Sequence, residues 1–218
     1  MTTRHSRTDA APRRPTYRHG DLRRALLDAG VALAREGGPS AVVLREATRR
    51  AGVAPNAAYR HFAGHQALFD AVRAHALGAL AQAIEREWAK ALKVREPAAR
   101  ARAMVRAVGT GYLGFAQAET GLFRAAFVFG EHDVQVPPDP ARAAAMGLNP
   151  FELLGAALDA LVAAGALPAD RRPGAEYLAW SAVHGMALLM IDGPLRGASA
   201  AQRRALGERL LRMVENGL

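Results

Sequence analysis

The chain of 218 residues carries 29 Lys and Arg against 20 Asp and Glu, a formal net charge of +9, and contains no cysteine. That length supports one or two domains with a real core, and a 50% hydrophobic content excludes wholesale disorder. Without cysteine there are no disulfides, thiolate nucleophiles, iron–sulfur clusters or Cys-ligated zinc sites, and no apolar run reaches the roughly 18–20 residues that a bilayer span needs.

Residues 1–19 read as a flexible basic arm, rich in Thr, Ser, Pro and Arg and without apolar periodicity. The arm does not resemble a signal peptide, so a cytoplasmic location is expected. Helical spacing begins at Asp21, a good N-cap, with Leu22, Leu26, Ala29 and Leu33 three and four apart. Gly37-Gly38-Pro39 ends that helix, and Ser40 opens a second with Leu44, Ala47 and Ala51 as its stripe. Gly52-Val53-Ala54 interrupts the pattern, and Pro55 supplies the favoured first residue of a third helix running to Phe62. After Ala63-Gly64-His65 a long helix places Leu68, Val72, Leu80, Ile84 and Trp88 on one face. Pro97 precedes a further helix ending near Glu119, and Thr120-Gly121 separates it from the aromatic segment Leu122–Phe129. Residues 130–149 read as a loop, and helices resume at Phe151–Ala166, Gly174–Ile191 and Ala200–Asn216. No β-branched residues alternate over a strand length, so the predicted fold is all-α, with about nine helices.

Three short helices, the second and third joined by a tight turn, describe a helix-turn-helix unit. Gly52 stands where the turn demands positive φ, and Leu44, Ala47, Val53 and Phe62 supply the apolar pegs that set the interhelical angle. The helix from Pro55 is the natural reader of a major groove, with small Ala57 and Ala58 permitting close approach. Asn56 can pair bidentately with adenine, Tyr59 and His61 suit phosphate contacts, and Arg45 can reach a guanine edge or a phosphate. Charge supports the same end of the chain. Residues 1–64 hold 12 Arg against 5 acids, leaving only +2 for the remaining residues. The preference for Arg over Lys is explicable as codon bias, but its concentration at one end is not. Arg4, Arg7, Arg13, Arg14, Arg18 and His19 of the arm can follow the backbone or enter the minor groove.

The run Leu44–Val72, LREATRRAGVAPNAAYRHFAGHQALFDAV, closely resembles the DNA-binding domain of the tetracycline-repressor (TetR) family of bacterial regulators. Tyr17–Gly30 is similar to that family's first helix, and Gly52-Val53 with Tyr59-Arg60-His61-Phe62 meets its spacing. The resemblance implies DNA contacts at Arg45, Tyr59 and His61, with Asn56 and Ala57 facing the bases. It also implies a phosphate contact at the start of the fourth helix, where the family's usual lysine is replaced by His65. Glu176–Leu195 resembles the C-terminal domain of a TetR subgroup named after its Trp-x-x-x-His-Gly element, here Trp180, His184 and Gly185.

The expected organisation is an arm at 1–19, a DNA-binding domain at 20–64 and a ligand-binding and dimerisation domain at 65–218. Trp180 and His184 are four apart and share a helical face, as a pocket wall or as core. Trp88, Met104, Val108, Tyr112, Phe115, Phe123, Phe127, Phe151 and Leu154 complete a candidate lining for a small, largely apolar effector. The last two helices are apolar on more than one face, through Leu178, Val183, Ala187, Leu188 and Ile191, then Leu206, Leu210, Leu211 and Val214. They are expected to pair in a homodimer as a four-helix bundle, and the two-fold axis implies a palindromic double-stranded operator. The function expected is a ligand-released repressor. A constitutive DNA-binding protein with a filled core uses the same residues, so that alternative stays open at this level, as does activation in place of repression. No nucleophile elbow, phosphate loop or paired-histidine motif points to an enzyme. No cofactor or metal is assigned, although His75, His132 and Asp133 are chemically able to converge.

Overall fold

Apolar residues three and four apart decide which face each helix turns inward. The computed structural model describes residues 19–128 and 139–218, and the regular structure among them is helical throughout. Arg18, His132 and Asp133 lie outside the described residues. Helix α1 (His19–Gly37) buries Leu26, Val31, Leu33 and Ala34. It starts two residues ahead of the predicted cap at Asp21, because helix ends are soft by a residue or two and a capping residue alone does not set them. The second helix starts later than Ser40. A 3-10 turn occupies Pro39–Ala41, Val42 is fully buried and Val43 is extended, so α2 spans Leu44–Arg50. Helix α3 (Pro55–Ala58) is shorter than predicted. The amides of His61 and Phe62 both donate to the Ala58 carbonyl at 2.9 Å, so residues 59–61 form a tightened turn instead of further helix.

Helix α4 (His65–Ala91) has 27 residues, or about 40 Å at the α-helical rise. It buries the predicted Leu68, Val72, Leu80, Ile84 and Trp88, with Ala76 and Ala83 along the same stripe, and also Ala74 and Ala81 beside it, because it is packed from several directions. Helix α5 (Pro97–Ala118) is capped by Glu96, whose carboxylate accepts from the amides of Ala98 and Ala99. Gly111 lets α5 lie close on α4, since a methyl there would come within 2.6 Å of the Ile84 Cα. Thr120-Gly121, predicted as a separator, is the first turn of α6 (Thr120–Ala126). That turn sits on the backbone at the end of α1, where a helix start with any side chain larger than hydrogen does not fit.

The 3-10 turn Pro140–Arg142 crosses α4 at Gly78. Helix α7 (Pro150–Ala163) opens on a capping box of Asn149 and Glu152. Helix α8 (Ala175–Ile191) follows, and α9 (Ala200–Gly217) opens on a second capping box of Ser199 and Gln202. Helix α5 packs against α4, α7, α8 and α9 and is the centre of this half of the molecule. Among the described residues no helix is long and apolar enough to cross a membrane.

Candidate nucleic-acid interface and ligand cavity

The corner between α2 and α3 is built from the inside out. Leu44, Ala47, Ala58 and Phe62 are buried and Val53 is half-buried, which locks the two helices together. Gly52 takes φ +67°, letting the Val53 amide reach back to the Thr48 carbonyl at 3.1 Å. The Thr48 hydroxyl in turn donates to the Arg45 carbonyl at 2.6 Å. Arg23 of α1 stacks over the Phe62 ring at 5.2 Å, covering the anchor from outside.

This packing leaves a polar rim in solvent. Arg45, Asn56, Tyr59 and His65 are exposed, while Ala57 and His61 are half-buried. Ala58 does not belong to that rim. It is fully buried, so its small size serves helix packing and not close approach to a ligand surface. His65 opens α4 and lies parallel to the Phe69 ring one turn on, with centroids 6.3 Å apart. Val43 is exposed just ahead of α2, and with Arg45, Arg49, Val53 and Pro55 it borders a shallow depression beside α3.

The neighbouring arginines serve a different purpose. Arg50 grips the Glu36 carboxylate with two hydrogen bonds of 2.7 Å and also bonds Glu46, which Arg49 holds at 2.7 and 2.8 Å. The Arg49 and Arg50 hydrogen bonds hold the Glu46 carboxyl down at about 2. The network fastens the end of α1 to α2, so part of the positive charge counted at this end of the sequence is structural.

A cavity of about 340 Å³ opens among α4, α5, α7, α8 and α9. Val108, Tyr112, Phe127, Phe151, Leu154 and Trp180 line it. Trp88, Met104, Phe115, Phe123 and His184 do not. Trp88, Phe115 and Phe123 are buried core, and Met104 packs half-buried against that core. His184 stands behind the wall, with its Nδ1 2.6 Å from the Tyr112 hydroxyl. Burial pushes the His184 pKa down and the Tyr112 pKa up. A neutral imidazole beside a protonated phenol makes Tyr112 the donor to Nδ1. Trp180 Nε1 donates to the same hydroxyl oxygen at 3.1 Å, so Trp180 and His184 together fix how Tyr112 faces the cavity. Among the described residues no group of three His, Asp or Glu is arranged to hold a metal ion, and His75 lies half-buried on α4.

Residues 26–72 match the family model of bacterial regulatory proteins of the tetR family, and residues 105–214 match the tetracycline repressor-like C-terminal domain. The chain belongs to the TetR family. Its helix order from α1 through the helix-turn-helix to α9 is the arrangement of TetR regulators. A solved protein of unknown function from Rhodococcus sp. RHA1 is similar at 27% identity, covering 91% of this chain and 98% of that one with a TM-score of 0.66. AmtR of Mycobacterium smegmatis shares the fold at 21% identity, covering 94% of this chain and 90% of that one with a TM-score of 0.53. No protein of curated function matches the sequence.

Three features of this TetR chain escape a reading of its sequence. The arginine clamp from Glu36 to Arg50 joins residues 14 apart in sequence, and only Glu46 with Arg49 and Arg50 carries a helical-spacing signal. Arg73 is buried at 8% exposure and lines the cavity together with Arg106 and Arg142. The stripe Leu178, Ser181, Gly185, Leu188 and Leu189 of α8 is exposed, whereas Val183, Ala187, Ile191 and Leu211, expected at a dimer seam, are buried within the protomer.

Proposed function

We propose that the protein is a dimeric, DNA-binding transcriptional repressor of the cytoplasm that a small ligand releases from a palindromic operator. The observation that carries the DNA-binding part is the solvent-facing rim of Arg45, Asn56 and Tyr59 over a corner held rigid by buried Ala58 and Phe62. In this reading residues 20–64 bind DNA and residues 65–218 sense ligand and dimerise. Asn56, with Ala57 beside it, faces base edges, while Arg45, Tyr59, His61 and His65 hold phosphates. Arg18 extends the contact along the backbone. No catalytic role is assigned.

Operator binding by two variants tests the interface. On an operator selected from random sequence, Asn56→Ala is expected to relax discrimination at one base pair by about 1–3 kcal/mol. Tyr59→Phe is expected to weaken all sequences about equally, as a lost phosphate contact does. Unchanged binding by both variants overturns the assignment of α3 as the reader.

His65→Lys places a permanent charge at the start of α4. It is expected to tighten operator binding and to steepen the slope of log affinity against log salt by about 0.9, the value for one added phosphate contact. A slope equal to that of the native chain removes His65 from the interface.

Ligand control is supported by the cavity's position. Its wall includes Arg73 and Leu77 of α4, the helix that begins at His65 beside the helix-turn-helix. It also includes Ala126 and Phe127 at the end of α6, whose first turn rests on the end of α1. A ligand that fits one arrangement of these helices better than the other shifts the population between DNA-competent and DNA-incompetent spacings.

A further inference from the structure

Val43 breaks a local rule. It is the N-cap of α2, where Ser, Thr, Asp or Asn is preferred, and its side chain gives that helix no capping hydrogen bond. Nor does it serve the core, being 44% exposed. Its neighbour Val42 is fully buried, so the fold uses one valine of the pair and leaves the other in solvent. Val43, half-buried Val53 and exposed Pro55 form the apolar part of the depression beside α3. The polar groups around it are already engaged. Thr48 turns its hydroxyl to the Arg45 carbonyl, and the Glu46 carboxylate accepts from both Arg49 and Arg50. Arg45 is the exception, since its guanidinium forms no ion pair among the described residues. Contiguity identifies what covers the depression. Arg45 belongs both to it and to the solvent-facing rim, and Pro55 directly precedes Asn56 on α3. A duplex docked on that rim covers the depression as well.

We propose that this depression is a second base-reading site, which takes the C5-methyl of an operator thymine against Val43, Val53 and Pro55. This rests on the reading of Arg45, Asn56 and Tyr59 as the DNA-facing rim and adds a base that Asn56 does not read. In the major groove the thymine methyl is the one apolar group that a base-pair edge presents, so an apolar hollow distinguishes thymine from cytosine. Seating the methyl there removes apolar area from water on both partners. The exposed guanidinium of Arg45 at the edge of the hollow holds the adjoining phosphate and so sets the register of the base. A serine at position 43 caps α2 but meets the methyl with a hydroxyl. Valine there gives up a helix cap and provides an apolar surface on the DNA-facing side, a local cost of the kind that marks functional positions.

The test uses the full chain on an operator that the native protein selects from random sequence, with deoxyuridine put in place of each thymine in turn. That exchange removes the C5-methyl and nothing else. One thymine in each half-site is expected to respond, its exchange weakening binding about fourfold, and about 15-fold when both half-sites are changed, the factor for one methyl-sized group leaving an apolar contact. Val43→Ser should abolish the response and bring the thymine and deoxyuridine operators to equal affinity. Because serine caps helices, the same variant should raise Tm by about 2–4 °C, which separates a lost contact from a damaged fold. Asn56→Ala should keep the response. If no thymine responds while the operator is still bound, or if Val43→Ser responds as the native chain does, the proposal is overturned and the rim stands. A response abolished by Asn56→Ala also overturns it, since the thymine then belongs to the base pair that Asn56 reads. So does a lower Tm for Val43→Ser together with a lost response, because Val43 is then a folding residue. If the native chain selects no operator, the DNA-binding reading fails and the proposal with it.

Discussion

Leu178→Glu with Leu188→Glu is expected to leave the fold intact, convert the proposed dimer to a monomer and lower operator affinity by about 100-fold to 10,000-fold. The two leucines are 65% and 41% exposed in the protomer, so neither supports its core and their replacement costs the isolated chain little. With Ser181, Gly185 and Leu189 they form one stripe along α8, a helix apolar enough that both its inward and outward sides carry large side chains. An exposed stripe of that kind is covered when a second copy packs against it, and small residues at 181 and 185 permit close approach of the two helices. Two carboxylates facing their symmetry mates across the axis repel at the centre of that seam. Loss of operator affinity follows because the second reading helix is then no longer held near its half-site, and the effective concentration conferred by the first is gone. Sedimentation and operator titration check both halves. A double variant that sediments as a dimer places the interface elsewhere, and α9 is the next candidate. Its exposed face is more highly charged, with Arg204, Glu208, Arg209 and Arg212.

Gly121→Ala is expected to destabilise the protein by about 1–3 kcal/mol. For a chain of this length that lowers Tm by roughly 2–12 °C. The added methyl overlaps the Ala34 carbonyl oxygen and comes within 2.7 Å of the Arg35 carbonyl oxygen. Both obstacles are backbone atoms, so no side-chain rotation relieves the clash and α6 has to move away from α1. The Arg35–Glu119 ion pair, 2.9 Å long across the same junction, is stretched by the same movement. Since α6 ends in Ala126 and Phe127 of the cavity wall, the variant also loosens the link between cavity and helix-turn-helix. Gly114→Ala is the control. It lies in α5 with nothing within 4 Å of the added methyl, and is expected to raise stability by about 0.5–1 kcal/mol through helix propensity. Equal melting temperatures for the Gly121 variant and the native chain remove the steric argument.

The helix-turn-helix was legible because local spacing specifies it. Gly52 sets the turn, Pro55 starts the next helix, and Leu44 and Ala47, one helical turn apart, with Phe62 supply the buried apolar pegs. Boundaries were less legible. Ser40 looked like a helix start, yet buried Val42 and extended Val43 postpone it to Leu44, a choice made by the core and not by capping preference. At Thr120-Gly121 the same residues that usually separate helices open one, because the tertiary contact with α1 requires a helix start without a side chain.

Taken alone, the amino-acid sequence determined the helical class, the helix-turn-helix frame and the concentration of charge towards the first third of the chain. Each is a property of neighbours a few residues apart, and helical periodicity reports it directly. The excess of +9 acquires its meaning only in three dimensions. Arg50 fastens α2 to α1 through Glu36, Arg49 is held by Glu46 within α2, Arg45 stands in solvent, and Arg73 and Arg142, far apart in sequence, meet one cavity. The tertiary structure alone separates Val108, Phe127 and Trp180, which line that cavity, from Trp88, Phe115 and Phe123, which fill the core. All six are apolar residues on inward helical faces, and periodicity treats them alike. What separates them is whether the facing helix closes the gap, which depends on contacts between α4, α5, α7, α8 and α9 that span most of the chain.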